Sequence, residues 1–249
     1  MGAHLQLDQL PLVDAARHPA VTTPSAGADR REDAGAPRAG TASRIVARIV
    51  QAVASRATLG DPVRVLGLTG PPGTGKTTIA AELTRALPRA GVPVAGQAPM
   101  DGFHMSNALL ADRDLDDHKG APDTFDVGGY VALLGRVRRA DSVVLAPDYR
   151  RDLHEPVAAS LPIETRGVVI TEGNYLGLEL PGWADVRGLI DLLVYIDTPF
   201  HTLASRLVER HVSFGRDRSD AAHWVRTVDA ANVALVERTK QRADLVVTP

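Results

Sequence analysis

The sequence predicts an α/β fold in three layers, a central, mostly parallel sheet with helices on both faces, and three observations predict it. Apolar runs alternate with stretches of helical periodicity, the pattern of parallel strands joined by crossover helices. The run Val63 to Leu68 leads directly into Gly70-Pro71-Pro72-Gly73-Thr74-Gly75-Lys76-Thr77-Thr78, and a helical pattern beginning at Ile79 leads out. Acidic residues then stand where later apolar runs end, at Asp101 and at Glu172. Ligands of open α/β sheets sit outside the carboxyl ends of the strands, so both acids are aimed at the crevice that holds the glycine-rich loop.

The loop fits G-x-x-x-x-G-K-[ST] without a mismatch, which makes the fold class a P-loop NTPase sandwich. Glycines let backbone N–H groups turn inward around a polyphosphate, and the helix that follows presents its positive end to the same anion. The segment from Gly70 to Thr78 is therefore expected to cradle ATP, with Lys76 reaching the β and γ phosphates and the Thr77 hydroxyl holding Mg²⁺. An ordinary Gly/Pro turn would need neither the Lys-Thr pair nor the glycine five residues after the first.

Composition narrows the function classes. At 249 residues and 44% apolar, the chain can bury one substantial core. A formal charge of -2 offers no basic field for nucleic acid or an anionic membrane. The absence of cysteine excludes disulfides and thiolate metal sites and fits a reducing cytosol. No run approaches the length of a membrane span and no signal peptide opens the chain, so a soluble, cytoplasmic protein is expected, with a homodimer compatible with the sequence.

Taken in order, residues 1–40 are rich in Ala, Pro, Gly, Arg and Asp and read as a disordered leader, although Leu5, Leu7, Leu10 and Leu12 suit a short docking segment. The domain, 41–249, begins with a helix whose Ile45, Val46, Ile49, Val50 and Val53 recur at helical spacing after a cap at Thr41 or Ser43. After the loop come a helix to about Ala90 and a strand from Val92 to Ala98, which ends at Asp101-Gly102-Phe103-His104. Asp101 there suits either a catalytic carboxylate or the N-cap of a short helix around Met105 to Leu110.

Residues 111–126 read as a loop over a pocket, followed by a helix from Val127 to Ala140 and a strand from Ser142 to Ala146. The segment Pro147 to His154 mixes aromatic, basic and imidazole groups, as a substrate wall or a plain surface loop would. A buried strand, Gly167 to Thr171, delivers Glu172-Gly173-Asn174-Tyr175 to the crevice, where a carboxylate can bind Mg²⁺ directly or through water. The strand Leu189 to Ile196 ends at Asp197-Thr198-Pro199, read as the cap and first turn of the next helix. That helix carries Arg206 and Arg210 on one face, and with the loop to Arg218 it forms either a phosphate-closing lid, 206–218, or a solvated surface. A single helix from Ser219 to Arg238 and a strand from Ala243 to Val247 complete the expectation.

Four blocks besides the loop carry a resemblance: Asp101-Gly102-Phe103, the stretch from Lys119 to Asp126, Thr171-Glu172-Gly173-Asn174-Tyr175, and the stretch from Arg206 to His211. With them, the chain from about residue 43 to its end resembles the phosphoribulokinase and uridine kinase family, which also holds the bacterial pantothenate kinases. The resemblance implies that Lys76 and Thr77 bind ATP and Mg²⁺, that Asp101 is the base facing the acceptor hydroxyl, that Glu172 is the second acid of the Mg²⁺ site, and that Arg206 and Arg210 belong to a lid. It also implies that His104, Tyr149 and Asn174 line the acceptor pocket. The stretch after Pro147 lacks the Tyr-x-x-His pattern of pantothenate kinases, and no extra anion-binding cluster marks a phosphorylated sugar.

The expected activity is transfer of the γ-phosphoryl group of ATP to a hydroxyl of a small molecule, a uridine-like nucleoside or related metabolite, with a sugar or pantothenate as alternatives. Phe103, Phe125, Tyr130, Tyr149 and Tyr175 fall in or near crevice loops, which leaves stacking on a nucleobase open. A nucleotide-driven switch or GTPase is the rival. Asp126-Val127-Gly128-Gly129 satisfies D-x-x-G, but no strand precedes it and no N-K-x-D segment reads guanine.

Overall fold

A computed structural model of the protein describes residues 39–249, with side chains from residue 43 onward. The expected leader lies outside the described residues except for its last two, which already belong to helix α1, Ala39–Thr58. Thr41 and Ser43 are therefore inside the helix and not its cap, in a stretch where Ala39 and Ala42 favour continued winding. Ile45, Val46, Ile49 and Val53 are buried, which puts the apolar stripe on the face predicted for it.

Strand β1, Val65–Thr69, is followed by helix α2, Lys76–Arg89, and strand β2, Val94–Gln97. Strands β3, Val144–Arg150, and β4, Glu155–Ile163, form a separate antiparallel hairpin; β5, Val168–Glu172, β6, Leu192–Ile196, and β7, Leu245–Val247, return to the main sheet. The sheet order is β2-β5-β1-β6-β7 and every pairing is parallel. Because β1 is central, with Leu68 opposite Glu172 on one side and Thr69 opposite Tyr195 on the other, the loop after β1 emerges between the ends of β5 and β6.

Alternation along the strands divides the core in two. Leu66, Leu68, Ile170, Val194 and Ile196 pack with Ile45, Ile49, Ile79 and Leu83 from α1 and α2. Val65, Val169, Leu193 and Tyr195 face the other way, toward helix α4, Val127–Arg139, and helix α5, Trp183–Gly188. This is the expected three-layer sandwich, since strands buried on both faces need apolar residues at successive positions.

Four elements differ from expectation. Strand β3 runs on to Arg150 and pairs with β4, which the sequence reading missed. Pro147, Pro156 and Pro162 argue against strands, but a two-stranded hairpin tolerates them, and the register shifts between Ala146 and Asp148, around Pro147. The short helix α3, Asn107–Asp112, is capped by Ser106, whose side chain accepts from Leu109 N at 3.3 Å, so Asp101 is not its cap. Helix α6, Phe200–Ser213, begins directly after Pro199 with no side-chain cap, and Asp197 pairs with Lys240 at 2.5 Å instead. The last helix is divided into α7, Arg218–Trp224, and α8, Ala230–Glu237, joined by a wide π-type turn over Val225–Asp229. The D-x-x-G match has a plain explanation: Asp126 caps α4 by accepting from Gly129 N at 2.8 Å.

Candidate active site

The loop after β1 closes on the start of α2 through Gly75, which takes a left-handed φ of 86° at the N-cap position that a residue with a Cβ would resist. Lys76, the first residue of α2, is 7% exposed. Its ammonium donates to the carbonyls of Gly70 at 2.9 Å and Pro71 at 3.0 Å and to Asn174 Oδ1 at 2.7 Å. Burial pulls this lysine down from its ordinary value to about 8, against the upward pull of Glu172 and Asp101. Thr77 donates from Oγ1 to Glu172 Oε1 at 2.9 Å, joining the helix start to the end of β5.

Asp101 sits in a single tight turn, Met100–Phe103, where β2 leaves the sheet. Two close approaches hold that turn beside Glu172. A Cβ on Gly102 would meet the Pro147 carbonyl oxygen at 2.4 Å, and one on Gly173 would meet Met100 Cβ at 2.5 Å. Any side chain at either position would push the turn outward. The result is an acidic pair: burial raises the Glu172 carboxyl above the usual range, and the charge of Asp101 adds to that rise. Lys76, the Thr77 hydrogen bond and Arg151 oppose it. Arg151, whose charge reaches Glu172, was not singled out by the sequence; its signal was only its place in the 147–154 segment.

Of the two arginines expected in a lid, Arg206 donates from Nη1 to the Gly73 carbonyl at 3.0 Å, and the charge of Arg210 opposes that of Lys76. Arg206 therefore reaches the loop from α6. Asn174, expected along the acceptor pocket, bonds to Lys76, and its own carbonyl accepts from Thr69 Oγ1 at 3.1 Å. His104 and Tyr149, expected there too, do come together, with ring centroids 4.9 Å apart. His104 also packs on Phe125 at 4.1 Å, and Lys119 lies 5.4 Å from the Tyr149 ring.

The other aromatics of the crevice loops have their rings buried. Phe103, Phe125, Tyr130 and Tyr175 are 8%, 5%, 0% and 1% exposed. They form one block with Trp183, with Phe125–Trp183 and Tyr175–Trp183 centroids at 5.7 and 5.4 Å. Trp183 comes from α5, an element too short to announce itself by periodicity.

The oxygens of Thr77 and Glu172 form a hard donor set that fits Mg²⁺, and the crowding of two carboxylates is what a divalent cation would relieve. Among the described residues no group of three or more His, Cys, Asp or Glu side chains could hold a metal ion.

Loop, sheet order and convergent acids define the class: a P-loop phosphotransferase that uses ATP. Comparison with known proteins places it more closely. The model of the Phosphoribulokinase / Uridine kinase family matches residues 65–249, and the chain belongs to that family. It is 35% identical over 186 residues to "Uncharacterized protein YggC" of Escherichia coli strain K12, covering 74% of this chain and 76% of that one. It is 29% identical to "Uridine kinase" of Borrelia turicatae, over 74% of this chain and 86% of that one. Among solved structures, the "putative fructose transport system kinase" from Silicibacter sp. TM1040 superposes with a TM-score of 0.75 at 34% identity, covering 81% of this chain and 98% of that one. No helix among the described residues is long and apolar enough to cross a membrane.

Proposed function

We propose that the protein transfers the γ-phosphoryl group of ATP to a hydroxyl of a small metabolite, with Asp101 as the base. One observation carries the reading: the turn that bears Asp101 packs against Gly173, where an added Cβ would lie 2.5 Å from Met100 Cβ, and the neighbouring Glu172 accepts from Thr77 at 2.9 Å, so the acid after β2 stands beside the acid after β5 and the start of α2. Residues 70–78 hold the triphosphate through backbone N–H groups and Lys76. Thr77 and Glu172 would hold Mg²⁺, which would neutralise phosphate charge. Arg206 and Arg210 close over the transferring group from α6.

The acceptor oxygen bonds to the γ phosphorus as the bond from that phosphorus to the bridging oxygen breaks. The electron pair leaves with ADP, and the hydroxyl proton passes to Asp101. The chain's contribution is placement and charge, because phosphoryl transfer demands little covalent help. Relatives bearing the names uridine kinase and fructose transport system kinase support two acceptor classes, nucleoside and sugar. The switch reading loses its main support, since the D-x-x-G match is the cap of α4.

The test is Asp101→Asn assayed with a responsive acceptor. Turnover should fall by about 100-fold or more while ATP affinity is kept, the usual size of a general-base contribution. Near-normal turnover would remove Asp101 from that role, and ATP hydrolysis indifferent to any hydroxyl compound would remove the kinase reading.

A further inference from the structure

The groups around Asp101 bear on what the acceptor is. A nucleobase is held by ring faces, and the ring faces here are already in use. Tyr130 and Tyr175 are sealed in the block with Phe125 and Trp183, and their polar ends are engaged: Tyr130 with the Thr171 hydroxyl, Tyr175 with the Gly120 carbonyl at 2.6 Å. Trp183 Nε1 donates to the Pro122 carbonyl at 3.1 Å. The half-buried Tyr149 ring already carries His104 at 4.9 Å and Lys119 at 5.4 Å. Lys119 is tied down in turn, donating to Asn107 Oδ1 and, at 2.8 Å, to the His154 carbonyl. Opening a ring for a base would mean breaking that clasp or the block beneath it.

What the wall offers instead is hydrogen-bond acceptors. His104 Nδ1 lies 2.8 Å from the backbone oxygen of Asp101. A carbonyl can only accept, so Nδ1 carries the hydrogen. Burial among Phe125 and Tyr149 holds this imidazole below the usual histidine range, which keeps it neutral and leaves Nε2 as a lone pair. No hydrogen bond among the described residues reaches Nε2, and it is not among their sealed, unpartnered atoms. With Nδ1 2.8 Å from the Asp101 backbone oxygen, the ring stands against the turn that bears the carboxylate, and a lone pair on that turn beside a group that must take a hydroxyl proton suits a partner with two neighbouring O–H donors.

We infer that the acceptor is a non-aromatic polyhydroxy compound, a free sugar or polyol, one of whose hydroxyls donates to His104 Nε2 while its neighbour faces Asp101. The inference rests on the phosphotransfer reading above and narrows it. His104 is a positioning residue, since it orients the acceptor without taking part in the transfer.

The experiment measures ADP release from the purified full chain with ATP, Mg²⁺ and a panel of free hexoses, pentoses and straight-chain polyols, set beside uridine and cytidine. Sugars or polyols should drive turnover and the nucleosides should not. His104→Leu should raise the KM of the responsive sugar about tenfold, the scale of one lost hydrogen bond, and leave the KM of ATP where it was. His104→Gln, which can offer an amide oxygen near the Nε2 position, should recover most of that loss. Turnover with nucleosides and none with sugars overturns the inference and leaves phosphotransfer standing. Turnover with nothing on the panel, ATP binding being intact, overturns the inference. An unchanged sugar KM in His104→Leu overturns the role of His104.

Discussion

The two sides of the crevice are built in different ways. The proposed phosphate side is made of consecutive residues, 70–78, whose backbone would do the holding, and Glu172, Asn174 and Arg206 reach it from elsewhere. The acceptor side is assembled from the turn at Asp101, the loop at 119–125, the β3–β4 hairpin and α5, and its shape depends on side chains packed across long gaps in sequence. A backbone cradle survives many changes around it. A wall of interlocked rings passes on each change to its neighbours.

That contrast can be broken most forcefully at Gly173. Replacing it with Ala puts a Cβ 2.5 Å from Met100 Cβ, next to Asp101. Overpacking of this kind should cost about 1 to 3 kcal/mol in a denaturant melt. Turnover should drop by about 100-fold through displacement of Asp101, the penalty of an ångström of misplacement, with ATP affinity little changed. Equal loss of ATP affinity and turnover would mean that the two sides are not separable.

A smaller effect is expected from Tyr175→Phe, which deletes the hydroxyl that holds the Gly120 carbonyl at 2.6 Å. Stability should fall by about 1 kcal/mol. The acceptor KM should rise with it, because the loop bearing Lys119 and Phe125 is released, and a change confined to ATP binding would contradict the division.

The smallest signal is a proton count on the phosphate side. Lys76 titrates at about 8 in the folded chain. Above that pH the folded chain lacks a proton that the unfolded chain keeps up to the ordinary lysine value, so this group makes stability rise with pH through that window. Triphosphate binding favours the charged amine, and at about pH 9 it should take up part of one proton that it does not take up near pH 7. Calorimetry in two buffers of different ionisation heat reads the uptake; none at the higher pH would show that Lys76 is not the titrating group.

Legibility in the sequence followed the same division. The cradle, Lys76, Thr77 and Glu172 could be read directly, because motif spacing and strand ends fix them with little help from packing. The strands β1, β5 and β6 were equally plain as apolar runs between turns. Strand β4 was hidden by Pro156 and Pro162, whose missing N–H groups count against a strand unless the partner on one side is known to be absent. The aromatics misled for a related reason. Phe125 and Tyr175 stand beside crevice residues in sequence, but their burial is decided by Trp183, whose short helix leaves no periodic trace. Arg151 lay in a segment read as a substrate wall or a plain surface loop, and its three charged neighbours, Asp148, Arg150 and Asp152, gave no reason to choose it.

The wide turn at Val225–Asp229 has a bearing on how the carboxyl-terminal part of the chain tolerates changes in length. A π turn absorbs one surplus residue without altering the direction in which later side chains point. Excising one residue there would give ordinary winding and still leave Val233 and Val236 turned inward, so the interior would scarcely register the loss. The seat of Asp229 would be lost, and with it the 2.8 Å tie to His211 that anchors the far end of the arginine-bearing helix.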